Sequence, residues 1–250
     1  MIWQTFTTLH WSLALVAAFC IGFSKGGFSG VGLVTVIIMA RLFPSKESTG
    51  ILLPLLIAGD IFSVLAFHQH ARWRYVWRML PPTVAGILIG YLLMQQIPGA
   101  AFAPVIGWIV LVMALLQGAR QIVPGAFLEV PHARWFAWLM GGWTGIATML
   151  ANAAGPIMSL YLLAISVPKY ELVGTSGWFF LLVNLFKVPF SAHLGLITPE
   201  TLLFNLLLVP IVAAGIFAGR RLIQVIPQQL FERLLLGFAL VAALHLIGLF

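Results

Sequence analysis

Charge is scarce in this sequence. Only 8% of its 250 residues are Asp, Glu, Lys or Arg, and just six of those are acidic. A soluble domain carries roughly 25% charged residues, so there is too little polar material here to cover a water-facing surface. Cysteine is nearly absent: Cys20 stands alone, which excludes an intrachain disulfide and leaves no basis for a Cys-based metal site. No HExxH, GxSxG, Walker or CxxCH pattern occurs, so nothing supports metal-dependent hydrolysis, a serine nucleophile, ATP use or c-type haem attachment. The N-terminus MIWQTFTTLH lacks the basic region that precedes a cleaved signal. No stretch is long enough for a separate soluble domain.

What the chain has is apolar residues, 62% of the total, with mean hydropathy +1.07. An all-α, polytopic membrane protein follows. A spanning helix needs roughly 17–25 mostly apolar residues. Full-length candidates are about 48–68, 76–96, 100–118, 170–192, 199–219 and 227–249, with 6–23 and 133–150 also long enough. Two shorter pieces, about 28–43 and 155–167, each follow a Gly/Ala-rich interruption, SKGGFSG and ANAAGP. The reading is about ten helical segments, some broken or re-entrant, separated by polar or Pro-bearing connectors. The isoelectric point near 10.2 does not point to nucleic acid, because the basic residues form no continuous patch.

Superposing the interrupted segments brings out an internal repeat. Gly22 and Gly145 are 123 positions apart, as are Gly32 and Gly155, and Pro44 and Gly50 match Pro168 and Gly174 at a shift of 124. PPTVAGILIG then matches PIVAAGIFAG, with Pro81, Gly86 and Gly90 on Pro210, Gly215 and Gly219. The expected halves are residues 1–125 and 126–250, joined in one membrane unit. Sorting the basic residues by side puts Arg72, Arg74, Arg78, Arg120, Arg134, Lys169, Arg220, Arg221 and Arg233 together, against Arg41 and Lys46. The positive-inside rule makes the first group cytoplasmic, with both termini outside. Five segments per half, an odd number, make the repeat inverted, an arrangement used by secondary transporters and by some channels.

Three ionisable groups fall inside apolar segments: Lys25, Asp60 and Lys187. Charge at membrane depth faces a cavity or a partner. Lys25 lies in the first break, where Gly26 and Gly27 free the backbone from the helix and a new helix begins near Phe28. A cation beside a helix N-terminus suits an anion; the competing reading has Lys25 snorkelling or capping another helix. The second break offers Asn152, Gly155 and a proline at a first helical position, and Ser24 and Asn152 add hydrogen-bonding groups. At the 124 shift Asp60 falls on Asn184 and Ser63 on Lys187. Asp60 is a candidate proton carrier or the counter-charge of a lysine, and the competing reading makes it half of a buried Asp–Lys pair that fixes helix packing; Lys187, one turn from Asn184, is a candidate second anion contact. His68 and His70 lie in a basic loop without a carboxylate or Cys nearby, which reads as a solvated loop before a metal site. No catalytic residue, metal or cofactor is called for.

The stretches GFSKGGFSGVGL, ILLPLLIAGDIFSVLAF, ANAAGPIMSLYLLAISVPK and VGTSGWFFLLVNLFKVPFS resemble the TauE/SafE family of membrane permeases, from about residue 15 to 249. The resemblance implies export of small anions, with sulfite, sulfonates and related organosulfur compounds as substrates. ANAAGP departs from the glycine-richer second break of many relatives. The expectation is a secondary transporter of the cell membrane working by alternating access, with Ser24, Lys25, Gly26, Gly27, Asn152, Gly155, Asn184 and Lys187 holding the anion. The runner-up is an anion channel, or an uptake permease for another small oxyanion or carboxylate. A membrane enzyme built on the His residues and Asp60 lacks a catalytic constellation. Partners are the anion and membrane lipid, with a homodimer left open and no nucleic acid.

Overall fold

The computed structural model describes residues 6–43, 45–96 and 133–249, together with six helical positions between 104 and 115. Among the described residues there are nine α-helices and no strand. They are α1 Thr8–Lys25, α2 Gly32–Leu42, α3 Ser45–Phe67, α4 Trp73–Gln96, α5 Arg134–Ala151, α6 Gly155–Ala164, α7 Lys169–His193, α8 Pro199–Val225 and α9 Gln228–Ile247. Five of them, α1, α3, α4, α7 and α8, are long and apolar enough to cross a membrane. The expected segment at 100–118 lies largely outside the described residues.

Lipid offers no hydrogen bonds, so each spanning segment closes its own backbone bonds as a helix, and breaks are tolerated only where protein buries them. Both breaks obey this. After α1 the chain runs through a short 3-10 turn, Ser29–Val31, into α2, and α2 folds back along α1, with Thr35 Oγ1 donating to the Ala17 carbonyl at 3.0 Å. After α5 the chain turns at Asn152, whose φ of 52° is left-handed, and α6 starts with Pro156 in its first turn, where a missing N–H breaks no bond. The rings of Phe136 and Tyr161 lie 5.9 Å apart, so α6 returns along α5. Each break is therefore the tip of a helical hairpin.

The packing pairs follow the sequence match. α1 lies along α8, and α5 lies along α4. Gly22 and Gly215 form the first seam: a Cβ at Gly22 would overlap the Val212 carbonyl, and one at Gly215 the Phe19 carbonyl. The second seam repeats this with Gly145 against the Thr83 carbonyl and Gly86 against the Gly142 carbonyl. Small residues let helix backbones meet where apolar solvent supplies no hydrophobic drive. Between the seams, α3 crosses α7, and Gly177 sits against Ser63. The tips of both hairpins come together beside this crossing.

One boundary differs from the sequence expectation in a way that matters. The first helix does not stop at residue 23; α1 continues through Lys25. Gly26 N–H donates to the Gly22 carbonyl at 2.9 Å and Gly27 N–H to the Ser24 carbonyl at 3.1 Å. The chain leaves the helix only at Gly27, whose φ of +134° is open to glycine and strained for other residues.

Candidate functional site

The site grows from α3. Position 60 lies mid-helix on the face that meets both α1 and α7, and Asp60 there is fully buried. An isolated carboxylate in that setting would be very costly, so its two oxygens are spoken for. Oδ1 lies 2.5 Å from Lys25 Nζ, and Oδ2 accepts from Asn184 Nδ2 at 2.7 Å. The Lys25 ammonium also stands 4.6 Å from the centre of the Phe180 ring on α7, within the range of a cation–π attraction. Ser63, one turn beyond Asp60, donates to the Lys25 carbonyl at 2.9 Å. Lys25 thus points inward, into a polar cluster, rather than snorkelling outward.

The capping role weighed for Lys25 belongs to Lys187. Its side chain is 2% exposed, and its Nζ donates to the Thr148 carbonyl at 2.8 Å, Thr148 Oγ1 at 3.2 Å and Asn152 Oδ1 at 2.7 Å. A lysine ammonium has three N–H donors, and all three are used here. A cation at a helix C-terminus also meets the negative end of the helix dipole. Asn152 completes the tie by donating Nδ2 to the Thr49 carbonyl at 2.9 Å. Lys187 and Asn152 therefore pin the second hairpin tip to α3 and α7. Lys25, Lys187 and Asp60 put two lysine side chains and one carboxyl group in the cluster.

A cavity of about 70 Å³ opens beside this cluster, room for several waters or one small oxyanion. Ser24, Lys25, Gly27, Asn152, Gly155 and Asn184 line it. Two of the sequence-derived candidates stand outside that lining. Gly26 packs against Gly219 of α8, where a Cβ would come within 2.9 Å of the Gly219 Cα, and Lys187 lies behind Asn152. The amide contacts expected from Gly26 and Gly27 need correcting as well, because both N–H groups return to α1 carbonyls. At the second break, the first-turn N–H groups that an α-helix leaves without intrahelical partners are those of Gly155 and Ile157, Pro156 having none.

Several hydroxyls complete the lining. Ser29 and Ser159, from the two hairpins, meet at 2.5 Å between Oγ atoms, and Ser24 Oγ donates to the Ser29 carbonyl at 3.3 Å. Ser176 and Thr148 also face the space. Sequence reasoning missed Ser29, Ser159, Ser176, Thr148 and Phe180; the available signal was a hydroxyl just after each break, in GGFSG and AAGPIMS. Asn184 Oδ1 and Ser176 Oγ are buried without a protein hydrogen-bond partner among the described residues, and buried polar atoms of that kind call for a ligand or water. Apolar side chains, among them Leu33, Val36, Leu52 and Leu56, close the remaining wall. His68 and His70 sit in an exposed 3-10 turn, away from this space, and no group of three metal-ligating side chains occurs among the described residues.

A cavity lined by one lysine ammonium and several hydroxyls at the meeting of two helix breaks is suited to a small anion. A protein-family model described as sulfite exporter TauE/SafE matches residues 14–246. No curated protein and no solved structure matches the chain. The matched residues take in all or most of each described helix and the whole charged cluster, and on that basis the chain belongs to the sulfite exporter TauE/SafE family of membrane permeases.

Proposed function

We propose that this protein is a secondary transporter of the cytoplasmic membrane that exports a small anion such as sulfite, a sulfonate or a related organosulfur compound. The observation that carries the reading is the Lys25 ammonium lining a cavity at the meeting of the two helix breaks. An anion entering that cavity is attracted to the Lys25 ammonium; a cation is repelled by it. The anion's oxygens lie against Lys25 and the hydroxyls of Ser24, Ser29 and Ser159, and the helix N-terminus at Gly155 adds a second favourable electrostatic end. Asn184 supports the site through its bond to Asp60, and Lys187 supports it through Asn152.

The two halves, 1–125 and 126–250, are inverted repeats of five segments each, with both termini outside. The seam of α1 with α8 and the seam of α4 with α5 support this, since each joins the first helix of one half to the fourth of the other, on matching glycines. Each repeat opens with a re-entrant hairpin, so the site is shared between repeats, and rocking of one against the other exposes it alternately.

Counterflow in liposomes tests the reading. Vesicles loaded with unlabelled sulfite, thiosulfate or methanesulfonate and carrying the purified protein are expected to take up the matching labelled anion above protein-free vesicles. Absence of exchange for all three rejects the proposal. A channel in its place would let the vesicles discharge a diffusion potential with each anion, where an exchanger leaves it standing.

A further inference from the structure

The Lys25 ammonium is already paired with Asp60. An incoming anion competes with that carboxylate for the ammonium, and the carboxylate is 0% exposed. Once Lys25 turns to the substrate, Asp60 is left holding a negative charge on an oxygen that has lost its cation, at a depth where water does not reach it. A buried ionised carboxylate in that position takes up a proton rather than stay charged. Resting on the permease reading above, we infer that Asp60 is the proton-binding group of a coupled proton–anion carrier, protonated on Oδ1 as the substrate takes over Lys25.

The geometry suits the exchange. Asp60 Oδ2 keeps its bond from Asn184 Nδ2 throughout, so the carboxyl stays oriented and Oδ1 receives the proton. The Phe180 ring under Lys25 Nζ holds the ammonium near the cavity while its partner changes. Charge balances: on loading, the carboxylate of Asp60 becomes a neutral carboxylic acid and one monoanion enters, so the net charge of the cluster is unchanged. Loaded and empty forms then cross the membrane with equal charge, and one proton travels with each monoanion. The repeat partner of Asp60 is Asn184, a group of the same shape fixed in the uncharged state, so the pair forms one titrating and one permanent member.

The groups around Asp60 are few. From α1 it meets Lys25, and from α7 Asn184 and Lys187, the latter directed at Thr148 and Asn152. The charged groups of the other helices packed on α3 stand at helix ends: Arg41 on α2, Arg134 on α5, and Glu200, Arg220 and Arg221 on α8; Glu47 lies at the far end of α3 itself. Next to Asp60, α8 presents Val212 against Gly59.

The test compares wild type with Asp60→Asn in the same liposomes, using whichever of sulfite, thiosulfate and methanesulfonate exchanges. Because anion binding takes up a proton, wild-type affinity is expected to rise as pH falls, by up to tenfold per pH unit at a stoichiometry of one. Asp60→Asn mimics the protonated state, so it binds more tightly than wild type at high pH, a gain that misfolding does not produce. The difference between the two profiles cancels the substrate's own ionisation. A pH dye trapped in wild-type vesicles is expected to report proton movement with the anion, and this reading stands even if the variant fails to fold. Wild-type exchange with parallel pH profiles in both proteins, or anion flux with no proton movement, overturns the inference and leaves the permease standing; no exchange by wild type removes both.

Discussion

Replacing Lys25 with alanine is expected to weaken anion binding by roughly 30-fold to more than 1,000-fold, the effect of about 2–5 kcal/mol when one partner of a buried, hydrogen-bonded charge pair is removed. The side chain supplies the only ammonium that lines the cavity among the described residues, since Lys187 is turned to the end of α5. The single substitution also strands Asp60, and breaking a buried pair destabilises by about 3–5 kcal/mol. A second variant separates the two effects. Lys25→Ala with Asp60→Asn removes both charges and places an amide opposite the amide of Asn184, so it recovers stability without recovering the anion. Binding of thiosulfate, read as heat or as a thermal shift in detergent, checks this. A double variant that binds like wild type would return Lys25 to a structural role.

The second large effect is expected at the helix seams. Gly22→Leu and Gly145→Leu each drive a side chain into the backbone of the neighbouring helix, against the Val212 carbonyl in one case and the Thr83 carbonyl in the other. Flexible neighbours absorb part of an overpacking and limit its cost to about 1–3 kcal/mol; here the obstructing atoms are backbone, so the helices must separate. Both variants are expected to lose the thermal transition or the folded yield, and to do so alike, because the two seams are built on matching residues. Leu at Gly237, where a Cβ meets nothing within 4 Å, serves as the control and is expected to leave stability within about 0.5 kcal/mol. A tolerated Gly22→Leu beside a ruined Gly145→Leu would argue against equivalent seams. Thermal melting in detergent reads all three.

These effects depend on features of unequal visibility in the sequence. The helices among the described residues were legible to within a few residues at each end. The expected 48–68, 170–192 and 227–249 emerge as Ser45–Phe67, Lys169–His193 and Gln228–Ile247, because polar and proline-bearing connectors mark the ends of apolar runs. Both breaks were legible too, since glycine and proline punctuate helices for local steric reasons. The offset of 124 between Asp60 and Asn184 foretold a shared polar position, and the structure joins the two in one hydrogen bond.

Side-chain direction was not legible. Whether Lys187 faces the cavity or the end of α5 depends on how α7 is rotated against α5, and no local pattern records that angle. Phe180 was hidden for the same reason: in an apolar helix a phenylalanine beside a lysine looks like any other. The fate of the Gly26 and Gly27 amides turned on α1 running two residues further than expected. Helix ends shift by that much in response to tertiary packing, here the seam with α8, where Gly26 meets Gly219.

The central claim is that one anion site lies where the two hairpin tips meet, with Lys25 on its rim. Selenite, an electron-rich analogue of sulfite, tests it most directly in an experimental structure of the protein at saturating concentration. The expected result is one selenite in the cavity, within hydrogen-bond distance of Lys25 Nζ, in contact with the Ser29–Ser159 pair and facing the α6 N-terminus at Gly155. Selenite bound elsewhere, with Lys25 still closed on Asp60 and the cavity holding only water, would contradict it.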